Sequence, residues 1–201
     1  MMTSMNRPKS QISTATSIAY IATFAALIVV LGAVAIPVGS AGVPIVLQNM
    51  GILLAGMLLG MWRGGLATTL FLGIGLLGVP NLAGWNPTIT ALAGPTIGYL
   101  VGYLISGFAV GAIAQLTSRT TKTADRAIIL SVAGLVGVLI QYICGTFGLM
   151  ARLHLDLGAA IAANAPFIIG DLLKIAAAVA ITLAVMKAVP HLLPASARAG
   201  R

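Results

Sequence analysis

Two stretches without a single charged side chain, Ser10 to Trp62 and Gly64 to Ser118, constrain this chain more than any other feature. Each is long enough for two helices of about 20 residues crossing a hydrocarbon core roughly 30 Å thick. Strands of a membrane barrel would appear as short segments alternating apolar and polar residues, and no such alternation runs through either stretch. Helices are therefore expected. Composition agrees: charged residues make up 7% of the chain, against about a quarter in soluble domains, too few to cover a water-exposed surface. The fold class expected is an all-α integral membrane protein surrounded by lipid.

Glycine, proline and charge punctuate the apolar sequence into six spans, at about 15–36, 45–61, 64–79, 89–116, 127–151 and 165–189. The second and third are short and glycine-rich, separated by Trp62-Arg63-Gly64-Gly65. Such segments also suit broken or re-entrant helices. The gap from Pro80 to Thr88 is polar for this chain, with Asn81, Trp85 and Asn86, and the gap from Arg152 to Asn164 holds His154 and Asp156. With six spans and a cytoplasmic N-terminus, the inner side receives Arg7, Lys9, Arg63, Arg119, Lys122, Arg126, Lys187, Arg198 and Arg201. The outer side receives Arg152 alone. Cytoplasmic loops are the ones that carry the basic excess, so both termini are expected inside. The expected architecture is a compact six-helix bundle in the cell membrane. It forms a single domain over 1–201, with short cytoplasmic tails at about 1–14 and 190–201.

The net charge of +8 has this membrane explanation, and the basic residues form no stripe interleaved with stacking aromatics, so nucleic acid is not an expected partner. Cys144 is the lone cysteine, which excludes an intrachain disulfide. Gly73-Ile-Gly75-Leu-Leu-Gly78 matches a dinucleotide fingerprint formally, but it lies within an apolar span and leads to Val79-Pro80. The carboxylates Asp125, Asp156 and Asp171 fall far apart on the map, leaving no acid–base pair. Neither an enzyme nor a cofactor is expected.

The sixth span carries Asp171 and Lys174. An ionisable residue at membrane depth costs roughly 2.5–3.5 kcal/mol and marks a functional site. Three residues apart, the two share a helix face. With Pro166 in the first turn and Asn164 as cap, Asp171 lies roughly 9 Å and Lys174 roughly 14 Å along the helix, in the outer half of the membrane. The pair either binds a polar solute arriving from outside or simply neutralises itself. Gln48, Asn49, Trp85, Asn86, Thr96 and Tyr99 map to the same end, with Tyr142 deeper. They suit either a pocket with a few convergent polar groups or an interfacial belt. Ala15/Ala19, Ala22/Ala26, Gly98/Gly102 and Gly107/Gly111 follow the small-xxx-small spacing of close helix contacts.

Four segments together are similar to the BioY family, the biotin-capturing S components of energy-coupling-factor (ECF) vitamin transporters: Val43-Pro44-Ile45-Val46-Leu47-Gln48, Leu53-Leu54-Ala55-Gly56-Met57-Leu58-Leu59-Gly60, Gly94-Pro95-Thr96-Ile97-Gly98-Tyr99 and Pro166-Phe167-Ile168-Ile169-Gly170-Asp171-Leu172-Leu173-Lys174. The resemblance covers roughly residues 20–187. It implies a bundle that binds biotin from outside without enzymatic activity, and that associates with a transmembrane coupling (T) component and ATPase subunits. It places Gln48, Asp171 and Lys174 in the biotin site, and Ala22 and Ala26 on the surface that docks the T component. Biotin's ureido donors suit Asp171 and its carboxylate suits Lys174, with Trp85 or Tyr99 covering apolar surface. Two departures stand out. The loop Ala83-Gly84-Trp85-Asn86-Pro87-Thr88 lacks the arginine that many relatives carry, and Ile97 stands where glycine is usual. An S component for another small acidic vitamin and a membrane scaffold are the competing expectations.

Overall fold

The computed structural model describes residues 13–33, 35–36 and 43–189. The expected cytoplasmic tails, with Arg7, Lys9, Arg198 and Arg201, lie outside these residues apart from Ser13 and Thr14, as do 37–42 of the first gap. Helix α1, Thr14–Leu31, opens on Ser13, whose hydroxyl accepts a hydrogen bond from the Thr16 N–H at 3.1 Å, satisfying one of the orphan donors of a first turn. The first span was expected to run to 36. It ends earlier, and Ala35–Ile36 (β1) pairs antiparallel with Ile45–Val46 (β2) instead.

Helix α2, Gln48–Leu76, contains one residue far outside helical geometry, Gly60, at φ 79° and ψ −177°. A side chain would make that positive φ costly. The backbone of Gly64 lies directly against Ala55 and Gly56, although nine residues of straight helix would separate Gly64 from Ala55 by about 13 Å. The chain therefore doubles back at Gly60, and 48–59 and 61–76 pack as an antiparallel hairpin. Reversal was expected at 62–65. It falls at Gly60 instead, and Trp62-Arg63-Gly64-Gly65 are already helical. Among the described residues, five helical segments rather than six are long and apolar enough to cross a membrane, with 48–76 counted as one segment.

After α3, Thr88–Ala91, helix α4 spans Ile97–Ala114 and tightens into a 3-10 turn at Gln115–Arg119. Helix α5, Thr123–Leu153, has Asp125 in its first turn and Arg152 in its last, each opposing the helix dipole favourably. It stops at His154 in the left-handed conformation. The gap that follows is not all loop: Asp156 caps α6, Leu157–Ala162, by accepting from the Ala159 N–H at 2.9 Å. Helix α7 is Ala165–Ala188, with proline in its first turn as expected. Asn164 precedes it, but its side chain makes no capping bond.

α2 and α4 form the centre. The glycines of α4 divide by neighbour: Gly98 and Gly102 lie on the backbone of α5 at Cys144, Gly148 and Gln141, while Gly107 and Gly111 meet α2 at Thr68 and at Gly60–Met61. Without side chains at these points the backbones approach closely and gain dispersion contact. α1 packs on α2 at the edge of the bundle, burying Ala25 and Ile28 and leaving Ala15, Ala19, Ala22 and Ala26 exposed. The buried core runs through Leu53, Met57, Val110, Leu130, Ala133 and Ile175.

Candidate functional site

At the end of the bundle opposite Gly60, a cavity of ≈ 500 Å³ opens between α2, α4, α5 and α7. Its most polar wall is built by α2 and α7. The i, i+3 spacing on α7 points Asp171 and Lys174 the same way, and both are buried, 4% and 8% exposed. Lys174 Nζ donates to Asp171 Oδ1 at 2.8 Å and to Asn49 Oδ1 at 3.1 Å. Asn49 Nδ2 in turn donates to Asp171 Oδ1 at 2.8 Å. The three side chains thus close a ring. From α5, Tyr142 Oη donates to the other carboxylate oxygen, Asp171 Oδ2, at 2.6 Å.

This arrangement answers the cost of burying two charges. A buried ion pair is tolerable when its geometry is good and the remaining lone pairs and protons are satisfied. Asn49 and Tyr142 provide much of that satisfaction, and Asn49 is itself held by the Met50 N–H, which donates to its Oδ1 at 3.0 Å. The sequence signal for Asn49 was its place beside Gln48 at the start of a span. Nothing local indicated that it would bridge the acid and the lysine.

Gln48, 2% exposed, also borders the cavity. Its Nε2 donates to the Asn81 carbonyl at 2.7 Å and to the Ile28 carbonyl at 3.2 Å. Ile28 O belongs to the last turn of α1, whose carbonyls lack helical partners. Gln48 thereby ties the end of α1 and the 80–88 segment to the start of α2. Asn81 organises that segment from within: its Nδ2 donates to Phe71 O at 2.6 Å and its Oδ1 accepts from the Thr88 N–H at 3.0 Å.

Tyr99 lines the cavity from α4. Its hydroxyl donates to Asn164 Oδ1 at 2.8 Å, and its ring meets Phe167 edge-on with centroids 6.5 Å apart. Asn164 Nδ2 donates onward to Thr146 Oγ1 at 3.0 Å and Ala160 O at 3.1 Å, which is why this asparagine does not cap α7. Asn86 borders the cavity from an exposed position. Trp85 does not border it: the residue is 62% exposed, with φ of 60°. Of the residues singled out in the sequence, Asp171, Lys174, Gln48, Asn49, Thr96, Tyr99, Tyr142 and Asn86 come together around one space. Ala22 and Ala26 lie away from it on the outer face of α1.

Comparison with known proteins bears on this geometry. The BioY family matches over residues 2–191. The biotin transporter BioY of Rhodobacter capsulatus is 38% identical over 138 residues, covering 64% of this chain and 71% of that protein. Its counterpart in Rhizobium etli is 33% identical over 152 residues, covering 75% and 81%. Among solved structures, the S-component for biotin from an ECF-type ABC transporter superposes with a TM-score of 0.80 at 31% identity, over 88% of this chain and 95% of that one. A family match along nearly the whole length, joined to a shared fold, leaves one assignment: the chain belongs to the BioY family.

Proposed function

We propose that this chain is the substrate-capture (S) component of a biotin uptake transporter, taking biotin from outside the cell and delivering it inward with an ATP-driven module. It is a multi-pass membrane protein and not an enzyme, as its family and its apolar helices require. The observation that carries the assignment to a site is the closed Asp171–Lys174–Asn49 ring in the wall of the cavity.

The ring sets what the wall can still bind. An ammonium has three donors, and Lys174 uses two, on Asp171 and Asn49. Asp171 Oδ2 accepts from Tyr142 and keeps further acceptor capacity. One donor and one acceptor therefore remain side by side, the complement of an N–H next to a C=O. The cyclic urea of biotin presents that edge. A ligand carboxylate would meet the Asp171 charge at close range, which is unfavourable, so it belongs at the mouth, near Asn86 and Thr96. Lys174 accordingly takes the ureido carbonyl instead of the carboxylate that the sequence suggested for it. Tyr99 and Phe167 cover apolar surface of the ligand, and Gln48 holds the mouth in shape.

The fold-back at Gly60 supports counting 48–59 and 61–76 as two passes, giving six in the cell membrane. Both termini then lie in the cytoplasm, with basic side chains gathered on the inner side. Ala22 and Ala26, exposed on the outward face of α1, form the surface on which a T component docks, with the ATPase subunits behind it. Ala22→Trp is expected to leave biotin affinity unchanged and abolish uptake in cells that carry the partner subunits. Unchanged uptake refutes the docking assignment.

Equilibrium binding of labelled biotin to the purified protein tests the central claim. Tight binding that Lys174→Ala lowers by at least about a hundredfold, in keeping with loss of a charge-assisted hydrogen bond, supports it. Absence of binding by well-folded wild-type protein sinks it. Tighter binding of another small acidic vitamin would favour an S component for that solute.

A further inference from the structure

A second polar group of the cavity belongs to neither the ring nor the mouth. Gln141, on α5, is 2% exposed and borders the cavity. Its Nε2 donates to Ser106 Oγ at 2.9 Å, and Ser106 Oγ donates its own proton to the Tyr103 carbonyl at 3.1 Å. The direction of this relay is fixed. A hydroxyl has one proton, and with that proton given to Tyr103 O, Ser106 can only accept from Gln141. The amide must therefore offer its NH₂ to Ser106 and turn its oxygen the other way. Gln141 Oε1 accepts no hydrogen bond among the described residues, and it is not among their fully buried, unpartnered side-chain atoms, so the cavity that Gln141 borders reaches it. Gly102 holds this arrangement in place, since its backbone lies on Gln141 Cα.

An amide oxygen held in one orientation at the cavity wall, with no donor from the described residues, is free to accept a hydrogen bond from whatever fills that space. We infer that Gln141 Oε1 is a second recognition point for the ligand's head group, accepting the urea N–H that the Asp171–Lys174 edge leaves free. This rests on the assignment of biotin to the cavity and deepens it. A cyclic urea has two N–H groups flanking one carbonyl. Asp171 takes one N–H, Lys174 the carbonyl, and Gln141, from α5, the other N–H. A head group with a single N–H, such as a lactam, would leave Gln141 unpaired in a desolvated site, so the residue selects ureas over monoamides. Tyr103, 9% exposed, lines the same space and encloses the head group next to it.

A ligand–variant cycle provides the test. Affinities of wild type, Gln141→Met and Ser106→Ala are measured for biotin and for its two mono-N-methyl derivatives, one at each ring nitrogen. Gln141→Met is expected to weaken biotin by about tenfold, the value of one neutral hydrogen bond. For one of the two methylated ligands, already weakened in wild type, it should cause no further loss. Ser106→Ala frees the amide to turn and should give a smaller loss with the same ligand dependence, which keeps the test available if Gln141→Met does not fold. Equal losses on all three ligands mean a purely structural amide and overturn the inference while leaving the biotin site intact. Failure of wild type to bind biotin removes the site assignment and this inference together.

Discussion

The two ends of this bundle are built from the same helices on opposite principles. At the Gly60 end, α2 and α4 pack at close range: Gly111 lies on the backbone of Gly60 and Met61, and Gly56 on the Gly111 backbone and the Val110 side chain. At the cavity end, the same two helices carry Asn49, Tyr99 and Tyr103, and α5 and α7 add Tyr142, Asp171 and Lys174 around ≈ 500 Å³. Large and polar side chains line that space and hydrogen bonds link them across it, while Gly98 and Gly102 still bring α4 onto the backbone of α5. The lesson is that a small membrane bundle can keep a polar chamber open at one end because glycine contacts clamp the other.

Three substitutions would break or sharpen this contrast, and they differ in size. Asp171→Ala acts on the open end and should have the largest effect. It strands Lys174 as an uncompensated buried charge, costing about 3–5 kcal/mol, and should lower the thermal unfolding temperature in detergent as well as abolish biotin binding. A variant as stable as wild type would mean that the ring is not what supports the chamber. Gly111→Ala acts on the clamped end. An added Cβ would collide with the Gly60 and Met61 backbone, and overpacking of this kind costs about 1–3 kcal/mol. The unfolding temperature should fall while residual folded protein still binds biotin. Lost affinity with unchanged stability would show that the two ends are not separable. Trp85→Ala should be the smallest, within about 0.5 kcal/mol in stability, because the side chain is 62% exposed and does not border the cavity. A large loss of biotin affinity in this variant would bring the 83–88 loop into the site in the bound state.

Much of the site was legible beforehand because charge within an apolar span is conspicuous. Asp171 and Lys174 could be paired from their spacing alone, and Tyr99, Tyr142, Gln48 and Asn86 could be assigned to one end by counting along the spans. Asn49 and Gln141 were harder. An amide in a membrane helix gives the same signal whether it finishes a helix terminus, bridges an ion pair or faces a ligand. Its partners lie on other helices, 122 residues away for the Asn49–Asp171 bond and 35 for Gln141–Ser106, and no local pattern encodes them. Asn164 shows the same limit in reverse. It stands where a helix cap belongs, yet Thr146 and Tyr99 claim its side chain.

By itself, the sequence determined the solvent of this protein, its helical class and the two ionisable residues that an apolar span would not carry without use. Those follow from transfer free energies and helical periodicity, which are properties of each segment alone. Only the tertiary structure decided that the chain reverses at Gly60 rather than at the Trp62–Gly65 sequence, that Asn49 closes a ring with Asp171 and Lys174, and that Gln48 is spent on backbone carbonyls. The reason is physical: buried polar groups and close glycine contacts take their meaning from whatever faces them, and in a bundle the facing group comes from a different part of the chain.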